Sequence, residues 1–135
     1  MRISDSQNIR KIVIGFLAAG TLGTGLYMMS DPHGWYLAVP GVINTGSHNH
    51  HFIRDTGGIY LTMGTGLFLG LRFSRFLQPA LLFSTCWMSI HAFVHLWDIV
   101  ASRLPSEHLA VDFPGVFMPP IILGVLAYRE KNTTS

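Results

Sequence analysis

Four long stretches of this chain carry almost no charge, and they restrict its fold more than any other feature of the sequence. These stretches are residues 12–29, 56–71, 76–97 and 113–128. An α-helix rises about 1.5 Å per residue, so ~17–25 residues cross the ~30 Å hydrocarbon core of a bilayer. The first and third stretches have this length unaided, and the others reach it if Arg54 snorkels and Asp112 lies at the interface. The sequence therefore predicts transmembrane helices at about residues 10–29, 52–72, 76–100 and 113–129.

The composition also favours a membrane protein. Of the 135 residues, 49% are hydrophobic and 12% are charged, which leaves little polar surface for a water-soluble domain of this size. A soluble all-α bundle is the alternative. We expect a single domain over residues 1–135, an all-α integral membrane protein whose four helices form an up-down bundle in the lipid bilayer. The small positive net charge belongs to the membrane-flanking segments, so we expect no nucleic acid partner.

Lysine and arginine are distributed unevenly between the helix connections. If the N-terminus is cytoplasmic, that side holds all nine basic residues except Arg54 and Arg103. Cytoplasmic loops are enriched in Lys and Arg, so this distribution predicts that both termini are cytoplasmic. The outer side then receives all seven histidines and five of the seven acidic residues, which are Asp31, Asp55, Asp98, Glu107 and Asp112.

Small residues recur at every fourth position on the first two predicted helices. They are Gly15, Ala19 and Gly23 on the first, and Gly58, Thr62, Gly66 and Gly70 on the second. Ridges of small residues let membrane helices approach closely. We expect these two helices to pack through the ridges, or one ridge to form a homodimer or contact a larger membrane complex.

Two further positions give expectations about the helix interiors. The single cysteine, Cys86, lies midway along the third helix and is predicted to be a small core residue. In the fourth segment, Pro114, Pro119 and Pro120 remove backbone donors. Residues 112–118 are therefore predicted to be bent or irregular, which is tolerated at membrane depth only against protein or a wet cavity.

The third helix carries a motif of ionisable residues near its outer end. His91, His95 and Asp98 stand at i, i+4 and i+7, within one sector of the helix. Two imidazoles one turn apart can bind one metal ion, and a nearby carboxylate can be a third ligand or orient an imidazole. Histidines near the end of a membrane helix are also often interfacial residues that bind water or a carbonyl.

Two other segments bring histidine and carboxylate to the same boundary. In the last loop Glu107 precedes His108, and Asp112 follows four residues later. His33, beside Pro32, is predicted to be a loop residue. The other segment, where the second helix begins, contains His48, His50, His51 and Asp55, and His51 and Asp55 share a face if the helix begins by about residue 50.

Arg54 and Asp55 allow two interpretations. They can form an ion pair at the start of the second helix, where the helix dipole favours the carboxylate. Alternatively, Arg54 binds an anionic or quinone-like headgroup at the mouth of a cavity.

The run from Asn49 to Gly64, with Arg54 entering a glycine-rich second helix of a small four-helix chain, resembles the DoxX-like group of bacterial inner-membrane proteins. The resemblance implies location in a bacterial inner membrane and, since a few members are associated with quinone-linked oxidoreductases, leaves the activity open. The cluster of histidines departs from the pattern of that group, so no functional residue is carried over.

Three functional hypotheses follow, and none decides whether the chain is an enzyme. The first is a redox metal site for Fe, Cu or Zn, with His91, His95 and Asp98 as core ligands and His48, His50 or His51 completing the set. The second is a haem b or quinone site, with an imidazole of the third helix facing one of the second. The third is a noncatalytic accessory subunit of a larger membrane complex.

Overall fold

The computed structural model describes residues 3–134, and the side chains of residues 7–130. Arg2, one of the basic residues counted above, lies outside the described residues, as does the side chain of Lys131. The described chain is helical and contains no strand, so the prediction of an all-α fold is confirmed.

Four long helices and two short ones follow one another along the described chain. They are α1 (Ile3–Ser30), α2 (Pro32–Ala38), α3 (His50–Arg72), α4 (Leu77–Val100), α5 (His108–Asp112) and α6 (Met118–Thr134). A π-helical segment, Phe113–Phe117, joins α5 to α6. Short 3-10 turns at Val42–Asn44 and Ser74–Phe76 precede α3 and α4.

Three helical segments are long and apolar enough to cross a membrane. They are Gln7–Ser30, Ser74–Val100 and His108–Glu130. Only 22–28% of the apolar stretch in each segment is buried inside the protein. Large side chains such as Phe16 and Tyr128 are 78% and 70% exposed. A surface this apolar suits lipid better than water, which favours the membrane over the soluble bundle.

α3 is less apolar than these three, and its position explains why. It packs against both α1 and α4, so protein covers two of its sides. Its first two turns carry the charged pair Arg54 and Asp55, and buried glycines such as Gly57 and Gly64 lower its hydropathy further. With 23 residues it is about 34 Å long, which is enough to cross a bilayer.

α1 and α3 pack closely through small residues. A Cβ atom added to Gly25 would lie 2.8 Å from the carbonyl oxygen of Gly57, and one added to Gly64 would lie 2.6 Å from Cγ of Leu22. Such distances are shorter than any real Cβ contact, so these positions admit only glycine without a shift of the neighbours.

The predicted ridges differ from this interface in register. Gly23 and Gly58 have no described neighbour within 4 Å, and Gly66 faces Ala80 of α4. The prediction that helices α1 and α3 pack together is right, but the prediction that Gly23 and Gly58 lie between them is wrong. Each helix carries more than one set of small residues, and spacing alone does not say which set faces the neighbour.

The core lies at the centre of the bundle and draws on all four long helices. Cys86 is exposed on the surface of α4, so the prediction that it is a core residue is wrong. The residues that form the buried cluster are Ile14, Ala18, Met63, Leu67, Leu77, Leu81, Met88, Leu123, Leu126 and Ala127.

An ion pair joins the beginning of α1 to the end of α6. Nη1 of Arg10 lies 2.6 Å from Oε2 of Glu130, and the Glu130 side chain is 7% exposed. The beginning of α1 and the end of α6 therefore lie at the same end of the bundle, as expected for an up-down arrangement of four long helices. The histidines occupy the opposite end, where α1 and α4 finish and α3 and α5 begin.

The predicted irregular segment is confirmed as a π-helical turn. The N–H of Met118 donates to the carbonyl of Phe113, five residues earlier, at the end of this turn. The cause is the proline pair: in a regular α-helix the rings of Pro119 and Pro120 would collide with the carbonyl groups four residues before them. A wider turn moves those carbonyl groups away while the chain stays helical.

Candidate functional site

Three imidazoles converge in the loop region between α1 and α3. One ring nitrogen from each of His33, His48 and His50 lies within 4.8 Å of the others. The ring centroids of His33 and His48 are 4.9 Å apart, and those of His48 and His50 are 4.3 Å apart. We call this group the histidine triad.

Helix caps hold two members of the triad in place. His33 lies in the first turn of α2, where the carboxylate of Asp31 accepts a hydrogen bond of 2.9 Å from the N–H of Gly34. His50 is the first residue of α3, and the side chain of Asn49 caps that helix by accepting from two backbone N–H groups. Asp and Asn are preferred caps because their side chains satisfy N–H groups that have no partner within the helix.

His48 is the central member of the triad, and its surroundings disfavour the charged form of its ring. Burial lowers the pKa of His48 below its usual value of 6.5, and the neighbouring His50 and His33 lower it further, against a smaller opposing effect of the Pro32 carbonyl. Nε2 of His48 is buried and has no hydrogen-bond partner among the described residues. A buried polar atom without a partner is costly, so this nitrogen is a strong candidate for a ligand atom.

A second polar group, which we call the buried row, runs from α4 to the loop before α3. Nδ1 of His95 lies 2.8 Å from Oδ2 of Asp112, and Nδ1 of His108 lies 3.5 Å from the same oxygen. Nδ2 of Asn44 lies 3.1 Å from Nε2 of His108. The Asp112 and His108 side chains are 6% and 4% exposed, so these interactions take place away from solvent.

The partners in the row determine where the imidazole hydrogens lie. The amide of Asn44 donates to Nε2 of His108, which leaves the ring hydrogen of His108 on Nδ1, facing Asp112. The carboxylate likewise accepts from Nδ1 of His95, and in the neutral ring Nε2 then carries the lone pair. A carboxylate that accepts from one ring nitrogen fixes the tautomer and orientation of the imidazole.

A cavity of about 630 Å³ lies beside the row, between the α1, α3 and α4 helices and the π-helical segment. His91 and His95 line it together with Asp112, and the ring centroids of the two histidines are 4.7 Å apart. The rest of the wall is mostly apolar or aromatic. Tyr36 lies between the two groups of residues in the sense that it lines the cavity and its ring centroid is 5.1 Å from that of His48, so the cavity and the triad are adjacent.

The other predicted site residues lie elsewhere. Oδ1 of Asp98 accepts a hydrogen bond of 3.1 Å from Arg103, so this carboxylate pairs with a basic residue near the end of α4 and not with His91 or His95. His51 and Asp55 face each other at 3.4 Å on the exposed surface of α3. This confirms that they share a helix face.

The structure gives Arg54 a role in helix packing. Its Nε donates a hydrogen bond of 3.3 Å to the carbonyl of Met29, at the end of α1. Carbonyl groups in the last turn of a helix have no partner within the helix, and a cation is favoured there. A headgroup bound by Arg54 stays a prediction.

Sequence reasoning did not identify two of the residues that matter in this arrangement. His33 was predicted to be a loop residue, but it lies in α2 and joins the triad. Asn44 carries no local sequence signal, because it is far in sequence from its partner His108. The i, i+4 spacing of His108 and Asp112 was the available signal for the row.

Metal binding by His91, His95, Asp98, His48, His50, His51, Asp55 or His108 stays a prediction, and the geometry groups them differently from the sequence pattern. His48 and His50 belong to the triad, His95 and His108 to the row. No family model, curated protein or solved structure matches this chain, so the resemblance to the DoxX-like group also stays a prediction.

Proposed function

We propose that this protein is a four-helix membrane protein that binds a transition metal ion through His33, His48 and His50. The observation that carries the proposal is the convergence of one ring nitrogen from each of the three histidines within 4.8 Å; in addition, Nε2 of His48 is buried and has no hydrogen-bond partner among the described residues. Neutral imidazole is a good ligand for Zn, Cu and Fe. The lowered pKa of His48 favours the neutral form of its ring.

The geometry of the triad is close to that of a metal site. A tetrahedral zinc ion with Zn–N bonds of about 2.0–2.1 Å holds its ligand nitrogens about 3.4 Å apart. His33 and His50 are exposed, so small rotations of their side chains can bring the nitrogens to this spacing. Three protein ligands leave a fourth position for water or a substrate, the arrangement typical of catalytic metal sites.

The proposed test is the metal content of detergent-purified protein, measured by mass spectrometry together with an absorption spectrum. We expect about one metal ion per chain in the wild type and loss of the metal in His33→Ala, His48→Ala and His50→Ala. His51→Ala is the matched control, because His51 is adjacent in sequence but faces Asp55.

Other outcomes of this measurement would support different functions. Metal that survives in the triad variants but disappears in His91→Ala/His95→Ala would overturn the triad and favour the pair on α4. A Soret band would favour haem b. Protein free of metal and colour would favour a noncatalytic accessory subunit. Such a subunit would form a homodimer or join a larger membrane complex through exposed small residues such as Gly23.

The same proposal places four helices across a bacterial inner membrane with both termini cytoplasmic. It is supported by the uneven distribution of Lys and Arg, by the length of α3 and by the ion pair between Arg10 and Glu130. In a Cys86→Ser background, we expect an impermeant thiol reagent to label Ser106→Cys on intact cells. Ser74→Cys, also exposed in the structure, is expected to react only after the cells are opened.

A further inference from the structure

The cavity beside the buried row has a mostly apolar wall, in which two histidines and an aspartate form a polar corner; several threonine, serine and asparagine side chains also line it. Met28, Trp35, Phe52, Tyr60 and Val116 contribute to the wall, and His91, His95 and Asp112 form the corner. Ligand pockets of proteins typically have a few hundred cubic ångströms and combine apolar walls with a small number of orienting polar groups. A volume of about 630 Å³ is therefore sufficient for a small organic molecule.

The corner offers a hydrogen-bond acceptor of fixed orientation. Nδ1 of His95 donates to Oδ2 of Asp112 at 2.8 Å, and Nδ1 of His108, whose tautomer is fixed by Asn44, lies 3.5 Å from the same oxygen. In the neutral imidazole of His95, Nε2 is thus left as an acceptor. His91, next to it, has no such constraint on its tautomer and can donate or accept.

The geometry points to a binding site for a mostly apolar molecule that carries an alcoholic or phenolic hydroxyl group, and this hydroxyl donates its hydrogen bond to Nε2 of His95. A hydroxyl group is both donor and acceptor, so its oxygen can also accept from His91. An ether or a ketone has no hydrogen to donate and leaves Nε2 of His95 without a partner. An anionic ligand would meet the carboxylate of Asp112 and is disfavoured.

This inference is independent of the metal site, and its test uses no metal. The probes are 4-bromophenol and 4-bromoanisole, which differ by a methyl group on the oxygen and whose bromine quenches tryptophan on contact. Trp35 lines the cavity, and the chain has three tryptophans. A Trp87→Phe/Trp97→Phe protein in lipid nanodiscs therefore reports on the cavity alone.

The control is the Trp35→Phe/Trp87→Phe protein. Its remaining Trp97 is 54% exposed on the surface of α4, so it reports how each probe partitions into the bilayer. We expect the quenching of Trp35 to saturate as the probe concentration rises. The quenching of Trp97 should not saturate and should be similar for 4-bromophenol and 4-bromoanisole. Since a hydrogen bond contributes roughly 1 kcal/mol, the phenol should bind the cavity about fivefold more tightly than the anisole.

Two variants test the role of His95 in this preference. His95→Phe keeps a ring in place but removes the acceptor, so the two probes should bind equally. His91→Phe leaves the contact of His95 with Asp112 intact, so the preference should remain even if both probes bind more weakly. Equal binding of the two probes to the wild-type cavity would overturn the inference, whether or not the His95 variant folds, and so would a preference that survives in His95→Phe.

Discussion

Gly25 lies against the backbone of α3, and replacing it with alanine tests how the two helices are held together. The added Cβ would lie 2.8 Å from the carbonyl oxygen of Gly57 and 2.8 Å from the backbone nitrogen of Leu61. Ordinary contact begins at 3.4 Å, so the helices must separate by about 0.6 Å at this point. Backbone atoms cannot rotate away as a flexible side chain can. Overpacking of this kind costs about 1–3 kcal/mol.

The matched control is Gly23→Ala on the same helix, because Gly23 has no described neighbour within 4 Å. Both substitutions gain the same helix propensity, about 0.8–1.0 kcal/mol in favour of alanine. This gain cancels in the comparison of the two variants. The Gly25→Ala protein should therefore be less stable than the Gly23→Ala protein by about 1–3 kcal/mol.

Reversible unfolding in mixed micelles, followed by helical circular dichroism as the proportion of denaturing detergent rises, measures this difference. Equal unfolding free energies for the two variants would refute the close approach of α1 and α3 at Gly25. A Gly25→Ala protein that is more stable than Gly23→Ala would contradict it more strongly.

Three other predictions concern single features of the fold. Because the pKa of His48 is lowered from 6.5, the unfolded chain binds its proton first as the pH falls. The unfolding free energy should therefore decrease as the pH falls below about 6.5. Thermal unfolding at a series of pH values should show a smaller decrease for His48→Gln than for the wild type, and an equal decrease in both proteins would contradict this prediction. A double-mutant cycle with Arg10→Met and Glu130→Gln should give a coupling energy of about 0.5–3 kcal/mol, and additive effects would show that the pair contributes nothing. Gly41 has a φ of 84°, and a Cβ there would lie 3.0 Å from Cε1 of His108. Gly41→Ala should therefore lower the unfolding free energy by about 1–2 kcal/mol. An unchanged melting temperature would contradict this prediction.

The membrane-length helices and the irregular turn were predictable because each depends on neighbouring residues. Stretches without charge set the positions of α1, α4 and α6, and the pair Pro119-Pro120 ruled out a regular α-helix just before it. The second helix was predicted to begin at about residue 52, and α3 begins two residues earlier, at His50. These predictions need no knowledge of how the helices are arranged in space.

The grouping of the histidines was not predictable in the same way. His91, His95 and Asp98 share a sector of α4, but Asp98 binds Arg103, and the partner of His95 is Asp112 from another helix. His33 and His48 are separated by a short helix and a loop whose course depends on Gly41, where φ is 84°. Spacing within one helix identifies residues that share a face, whereas contacts between segments depend on rotations and loop paths that spacing does not contain.

The π-helical turn at Phe113–Phe117 joins α5, which carries His108 and Asp112, to α6. The number of residues in this turn therefore sets how α5 is rotated relative to α6. Each residue of an α-helix turns the chain by about 100°. Deleting one residue from this turn would rotate α5 by about that angle relative to α6. Asp112 would then point away from His95, and His108 away from Asn44. Among descendants of this sequence, an insertion or deletion in the turn would remove the polar corner of the cavity at once, although every side chain that builds it remained unchanged.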